Sequence, residues 1–394
     1  MPVPDDDRTG ARIAMYRKRA GLTQQGLAQR IPYSYSMLHQ VETGHKAASP
    51  QLVAAAARAL HVNVSDLTGT PARSLLPDHV ADVIRPIREA LDLYDLPADP
   101  HIPIGPAGEL FKAADTLCRD VRGARLHQAA ALLPGVLADL MVTCREEGST
   151  ERWRALASAY RSAHDVARKL GRDDLACLAL DRMGWAAERA SDPVLSAIRQ
   201  YMRALSYRSR SADHSIGLRL VADGHRLLEQ AEASRDRQVV VGQLHLGAAV
   251  LAARAADKTG AVGHLEEAKD VARKTGEAGR VHWLSFGPAN VGAHETYVRL
   301  ELRQFDKAFT VARAVRPPRG WATSRKAAHL VDRARAEMET GRTERALGSL
   351  MEAREMAPQQ TRYHPRVRET VRALLHLRRQ SPDNLSRIAS WVGV

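Results

Sequence analysis

The sequence predicts an all-α protein in two parts, a small N-terminal bundle of five short helices and a long array of paired helices after it. Three observations carry this. Apolar residues recur at helical spacing along the chain with no convincing alternating strand pattern, and Gly, Pro, Asp and Ser punctuate that pattern at short intervals. Aromatics are scarce at 5% while hydrophobic residues reach 44%, so the core must be built from Ala, Leu and Val, which suit closely packed helices. At 394 residues the chain exceeds one ordinary compact domain, so two domains or an extended repeat array are expected.

The small bundle runs from Arg8 to Leu67. Its first helix carries Ile13 and Tyr16 and stops at Gly21, where a left-handed cap costs little. Thr23 is a natural N-cap for a two-turn helix, Gln24 to Arg30, with Leu27 and Ala28 inward, and Ile31 and Pro32 end it. Ser34 caps the next helix, which runs to Glu42 with Met37, Leu38 and Val41 buried and Tyr35, Ser36, His39 and Gln40 outside, and Gly44 closes it. Ser49 and Pro50 start a fourth helix with Leu52, Val53, Ala56 and Leu60 as its apolar stripe, and Val62, Val64 and Leu67 complete the core. Two short helices joined by a turn, held by three more, leave the second free to present its N-terminal side chains to a major groove.

The residues Gly21-Leu22-Thr23-Gln24, Leu27-Ala28, Ser34, Leu38, Val41-Glu42 and Gly44, followed by Ala59-Leu60-His61-Val62, Val64 and Asp66-Leu67, resemble the Cro and lambda-repressor-like (XRE) helix-turn-helix family. The resemblance covers about sixty residues and fixes caps, core positions and the closing Gly in one register. It implies a lambda-repressor-like fold that binds a double-stranded DNA operator. Gln24 would contact phosphate and brace the reading helix, Ser34 at that helix's start would be a further DNA-binding residue, and Tyr35, Ser36, His39 and Gln40 would face base edges or neighbouring phosphates. Two positions depart from the family pattern: Gly26 replaces a helix-favouring polar residue, and Pro32 replaces the usual Gly of the turn. A bundle of the same fold that no longer binds DNA stays open as an alternative.

The formal charge of +13 invites a nucleic-acid partner, but it does not locate one. Residues 1–70 hold eight Lys or Arg against five Asp or Glu, a net of +3, so most of the excess belongs to the rest of the chain, where a solvated Arg-rich surface explains it equally. Seven prolines between Pro71 and Pro106 mark a linker, residues 71–106, within which Asp78 to Leu93 keeps helical spacing although Pro86 should kink or shorten it. That helix reads as a semi-rigid coupling element or as the first helix of the following domain.

From about Glu109 onward the pattern is amphipathic segments joined by short polar turns, and helix pairs stacked in sequence are the economical way to bury them. Trp153-x-x-Leu156-Ala157-x-x-Tyr160, and later Ala346, Leu350, Ala353 and Pro358, resemble the tetratricopeptide repeat, with degenerate units between. The resemblance implies a right-handed helical solenoid over residues 107–394 whose inner wall comprises the helices near 149–169, 192–209, 236–256, 284–302 and 321–340. An XRE reader joined to such repeats resembles the RRNPP-type peptide-responsive, quorum-sensing regulators of Gram-positive bacteria. That implies a ligand-responsive regulator, with a peptide or small-molecule effector in the concave surface and a homodimer on the operator. The chain has three Asn, of which Asn290 alone falls on an inner helix, so a ladder of Asn anchors is absent.

On the inner helices Asn290, His294 and Tyr297 share one face, and Arg154 and Arg161 share another at a spacing of seven. Arg can grip a carboxylate or phosphate with two parallel bonds and Asn can pair with a peptide amide, which makes these five the candidate ligand-binding residues. Each arginine also fits a solvated or salt-bridged position, and Tyr297, Trp153, Trp185 and Trp283 also fit core packing. No metal site is expected from the sixteen histidines, no cofactor is implied, and no nucleophile elbow, phosphate-binding loop or paired catalytic carboxylates suggest an enzyme. Cys118, Cys144 and Cys177 are too far apart for a disulfide framework, and no stretch reads as a signal peptide or membrane span, so a cytoplasmic location is expected. Two other readings survive: a DNA-binding scaffold whose repeats recruit a protein, and a repeat adaptor without DNA binding.

Overall fold

The computed structural model describes residues 6–60, 62, 67–68, 78–96, 106–208, 213–377 and 383–394. Among them are twenty α-helices, two 3-10 turns and one isolated β-bridge, Ala278 to Phe286, with no strand. The chain divides into two compact units, Met1–Ala81 and Asp82–Val394.

The first unit contains α1 (Asp6–Arg19), α2 (Gln24–Ala28), α3 (Tyr35–Glu42) and α4 (Pro50–Leu60). Each start after α1 has the cap its sequence calls for. Thr23 Oγ accepts from the Gly26 amide at 3.0 Å, Ser34 Oγ from Met37 at 3.2 Å and Ser49 Oγ from Leu52 at 3.2 Å. Gly21 and Gly44 take φ of 67° and 80°, the left-handed conformation that ends α1 and α3. Ile13, Leu27, Leu38, Val41, Leu52, Leu60 and Leu67 form one buried cluster, with Met37 and Ala28 half-buried at its edge. The fifth helix expected near Val64 lies largely outside the described residues, although Leu67 is buried. α1 and α3 cross with almost no gap: a Cβ on Gly10 would lie 1.9 Å from the Val41 carbonyl oxygen.

In the second unit α5 (Asp78–Asp92, described with this unit from Asp82) runs through Pro86 and ends in a 3-10 turn, Leu93–Asp95. Next come α6 (Ala107–Arg122), α7 (Leu126–Glu146), α8 (Thr150–Lys169), α9 (Asp173–Arg189), α10 (Pro193–Ser206), α11 (His214–Glu229), α12 (Arg235–Arg254) and α13 (Lys258–Thr275). α14 (Pro288–Glu301), α15 (Phe305–Ala314), α16 (Thr323–Glu339), α17 (Thr343–Met356), α18 (Pro358–Tyr363), α19 (Pro365–His376) and α20 (Asp383–Val392) complete it. Pairs α8–α9, α10–α11, α12–α13, α14–α15 and α16–α17 pack as antiparallel neighbours, and α10, α12, α14 and α16 touch in turn along one side. Small residues permit this closeness: Ala157, Ala163, Ala186 and Ala187 have no exposed surface between α8 and its neighbours.

The array also closes on itself. α6 touches α16, α8 touches α18, and Ala124, Ala327 and Ala357 share a buried cluster. The Gln359 side-chain oxygen accepts from the His127 amide at 3.2 Å, 232 residues away in sequence. One helix corrects the sequence reading: α7, with 21 residues and mean hydropathy 1.3, is long and apolar enough to cross a membrane, but half of its apolar window is buried and it packs on α6 and α8 through Leu133, Leu137 and Leu140. Its length and composition follow equally from its place in the core.

Candidate functional site

In the first unit α3 presents Tyr35, Ser36, His39 and Gln40 to solvent, Tyr35 with 51% of its surface exposed. The Tyr35 and His39 rings stack with centroids 6.0 Å apart, one turn apart on the helix. Behind them lies a charged clamp. Arg17 on α1 donates to both carboxylate oxygens of Glu42 at 2.7 and 2.8 Å and to the Leu22 carbonyl at 2.8 Å. Gln24 donates to the same carboxylate at 2.7 Å, and its carbonyl oxygen lies 3.3 Å from His39 Nδ1. Glu42 is 2% and Arg17 9% exposed at the side chain, and the hydrogen bond to Glu42 raises the Arg17 pKa above its ordinary value. A buried bidentate pair of this kind fixes the angle of α3 to α1. Gln24 is therefore half-buried and engaged with the reading helix, and Ser34 caps it.

In the second unit, the five helices α8, α10, α12, α14 and α16, with α6 and the segment from α18 to α19, surround a cavity of about 910 Å³. Arg161, Asn290, His294 and Tyr297 all line it. Arg154 does not. It lies on α8 two turns before Arg161, where its Nε donates to Asp192 at 2.7 Å.

Asn290 and His294, 2% and 8% exposed, are joined by Arg325 of α16, which donates to Asn290 Oδ1 at 2.5 Å and to His294 Nδ1 at 2.9 Å. His294 Nδ1 also lies 2.9 Å from the Asn290 main-chain carbonyl, so the same ring nitrogen sits between a donor, Arg325, and an acceptor. Burial first, then the Arg325 charge, holds the His294 pKa well below the ordinary value. Tyr297 accepts from Arg254 at 3.0 Å, and the Arg366 guanidinium lies 3.7 Å from the centre of its ring. Arg366 also pairs with Glu301 and, at 2.6 Å, with Asp332, while Arg254 lies 3.0 Å from Glu301.

The sequence reading missed Arg168, Arg208, Arg325 and Arg366. For Arg168 a signal existed, because Arg161, Asp165 and Arg168 form one helical stripe. Arg366 could not be found from repeat spacing, since it comes from the segment that closes the array. Among the described residues no group of three or more His, Cys, Asp or Glu is placed to hold a metal ion.

Residues 8–68 match the family model for a helix-turn-helix domain. The match covers the first unit's described core, including the clamp and the exposed face of α3. No curated protein matches the chain. Among solved structures, Bacillus thuringiensis PlcR in complex with the peptide PapR7 and DNA shows 12% identity over 78% of this chain and 94% of that one, with a TM-score of 0.31. ComR from S. thermophilus in complex with DNA and its signalling peptide ComS shows 12% identity over 93% of this chain and 99% of that one, at 0.29. The apo form of ComR shows 13% identity over 79% and 95%, also at 0.29.

Proposed function

We propose that the chain is a transcriptional regulator in which residues 8–70 read a DNA operator and residues 107–394 hold a peptide or small-molecule effector that alters operator binding. The segment 71–106 links the two. The observation that carries the DNA-binding half is the helix-turn-helix match combined with a reading helix whose polar face is exposed while its base is clamped by Arg17, Glu42 and Gln24. The effector half rests on the cavity, whose size suits a small ligand or a short peptide and whose lining converges several buried polar side chains. A single reader of this size contacts few bases, so the protein acts as a homodimer on half-sites about one helical turn apart, and it acts in the cytoplasm with the DNA.

The test is binding to DNA selected from a random pool. Tyr35→Ala and His39→Ala should each weaken the selected site by about 1–3 kcal/mol, with a much smaller effect on unselected DNA. Equal losses on both would leave only backbone contact and refute base readout. Light scattering decides the dimer: a monomer that binds the selected site tightly contradicts it. An effector that stabilises one shape of the repeat unit should change operator affinity by about 1–3 kcal/mol.

A further inference from the structure

The cavity wall carries ten Arg or Lys and five Asp or Glu, and the two signs are not mixed evenly. Four of the carboxylates lie on or beside α14, α16 and α19, where they meet cations directly: Glu301 and Asp332 hold Arg366, Glu301 also faces Arg254, and Arg335 lies 2.6 Å from Glu339 and 3.7 Å from Glu369. That end is close to neutral.

The wall made by α6, α8 and the residues just after α10 is different. Arg122 and Arg161 are occupied by main-chain carbonyls of Trp283 and His282. Arg168, Lys169 and Arg208 also line the cavity, yet among the described residues no ion pair or hydrogen bond holds their charged ends. The carboxylate on this wall is Asp165, whose pKa is lowered against its burial, chiefly by Lys169. The Arg168 charge, followed by burial, brings Arg208 down to about 10. Arg168 and Arg208 thus line one cavity and repel each other, and among the described residues no carboxylate pairs with either.

We propose that the effector is a compact polyanion with at least two phosphate or carboxylate charges, seated on Arg168, Arg208 and Lys169. The inference rests on reading the cavity as an effector site. Even with Arg122 and Arg161 set aside, whose donors are engaged by neutral carbonyls, three cations stand against one carboxylate, so a dianion offsets part of the excess charge on this wall. Guanidinium forks give phosphate and carboxylate two parallel bonds each, and the ammonium of Lys169 adds a point charge. Because burial weakens screening, an anion here relieves repulsion that bulk salt cannot reach.

Titration calorimetry of the full-length protein with pyrophosphate, citrate and the uncharged triethyl citrate tests this. Pyrophosphate or citrate should bind with one site per chain, and triethyl citrate should give no binding. The tighter of the two anions identifies phosphate or carboxylate as the natural group. Arg168→Gln and Arg208→Gln should each weaken the preferred anion at least tenfold, whereas Arg345→Gln, on the exposed face of α17, should leave it unchanged. Without ligand, Arg208→Gln should melt at or above the wild-type temperature, because it removes an unmatched charge, so lost binding cannot be lost folding. Absence of anion binding, equal binding by the Gln variants, or triethyl citrate binding as tightly as citrate overturns the proposal.

A gel shift separates this from the underlying reading. A low-mass cell extract that still changes operator affinity after its anions are removed on an exchange resin overturns the polyanion and leaves the effector site standing. An anion that binds the cavity with no change in operator affinity supports the polyanion site on Arg168, Arg208 and Lys169 and overturns its reading as an effector site.

Discussion

The Arg161 guanidinium donates to the main-chain carbonyl of His282, a residue 121 positions further along the chain and in the left-handed region at φ 41°. Its neighbour Trp283 is also left-handed, at 54°, and gives its carbonyl to Arg122 at 2.6 Å. Left-handed backbone at such residues costs on the order of 1–3 kcal/mol each, so it persists only where contacts hold it. Two cavity arginines supply those contacts.

Removing one of them should release the loop. Arg161→Met is expected to speed hydrogen exchange at residues 278–286 and shift Trp283 emission, with little change in exchange within α12 and α13. His282→Gly, which accepts the same conformation without strain, should slow exchange in the same loop. Unchanged exchange in both variants would show that the loop is held by something other than these hydrogen bonds.

The clamp beneath the reading helix gives a second prediction. Glu42→Ala leaves the Arg17 charge buried without its partner, and should cost the first unit about 3–5 kcal/mol. Gln24→Ala removes one bond to that carboxylate and should cost about 1 kcal/mol while freeing His39. Chemical denaturation followed by backbone signals of α1 to α4 measures both. Comparable losses in the two variants would mean that Arg17 and Glu42 are not the fixed pair they appear as in the fold.

A pH dependence is built into the packing of α11, α12 and α13. His225, His245 and His264 lie in a row across α11, α12 and α13, with ring centroids 4.8 and 5.3 Å apart and the Nδ1 atoms of His245 and His264 separated by 3.1 Å. One of those atoms must donate and the other accept, which a neutral pair can do and a doubly protonated pair cannot. Burial, then His225 and His264, holds His245 down at about 4, and burial also lowers His225 and His264, the latter against upward pulls from Asp257 and Glu267. The unfolded chain therefore takes up protons first. Stability is full above the ordinary value of 6.5 and falls as pH drops toward 4. His245→Phe keeps the ring packing and should flatten the melting temperature between pH 6.5 and 4.5, without abolishing the slope, because buried His164 and half-buried His364 are also held at about 4. Parallel curves for the variant and the wild type would remove the triad from the explanation.

How far these features could be read from sequence differs by their physics. The caps at Thr23, Ser34 and Ser49 and the stops at Gly21 and Gly44 are local, so each was legible from a few residues. The inner wall was legible too, because a 3.6-residue period with Ala at the close contacts admits few alternatives. Arg154 shows where such reasoning stops: it shares a helical face with Arg161, but its position along α8 places it beside Asp192, outside the cavity lining. Closure of the array, which brings Arg366 to Tyr297, depends on contacts between segments distant in sequence and has no local signature. Nor has the irregular loop before α14, whose shape is set by Arg122 and Arg161.

That loop also offers a handle from behind. Gly242 on α12 lies so close to Phe286 that a Cβ there would sit 2.1 Å from the end of the ring, and Phe286 is fully buried. An alanine must push the ring away, and the ring's neighbours Leu284 and Ser285 line the cavity. Overpacking of this kind costs about 1–3 kcal/mol. Gly242→Ala should therefore lower the melting temperature of the second unit and accelerate exchange in the loop, and it should weaken whatever ligand fills the cavity, although residue 242 does not line it. Arg161, which lines the cavity and holds the His282 carbonyl, is the expected link between the loop and a ligand. If Gly242→Ala lowers stability but leaves loop exchange and ligand affinity unchanged, the strain is absorbed locally around Phe286 and the loop is not the link.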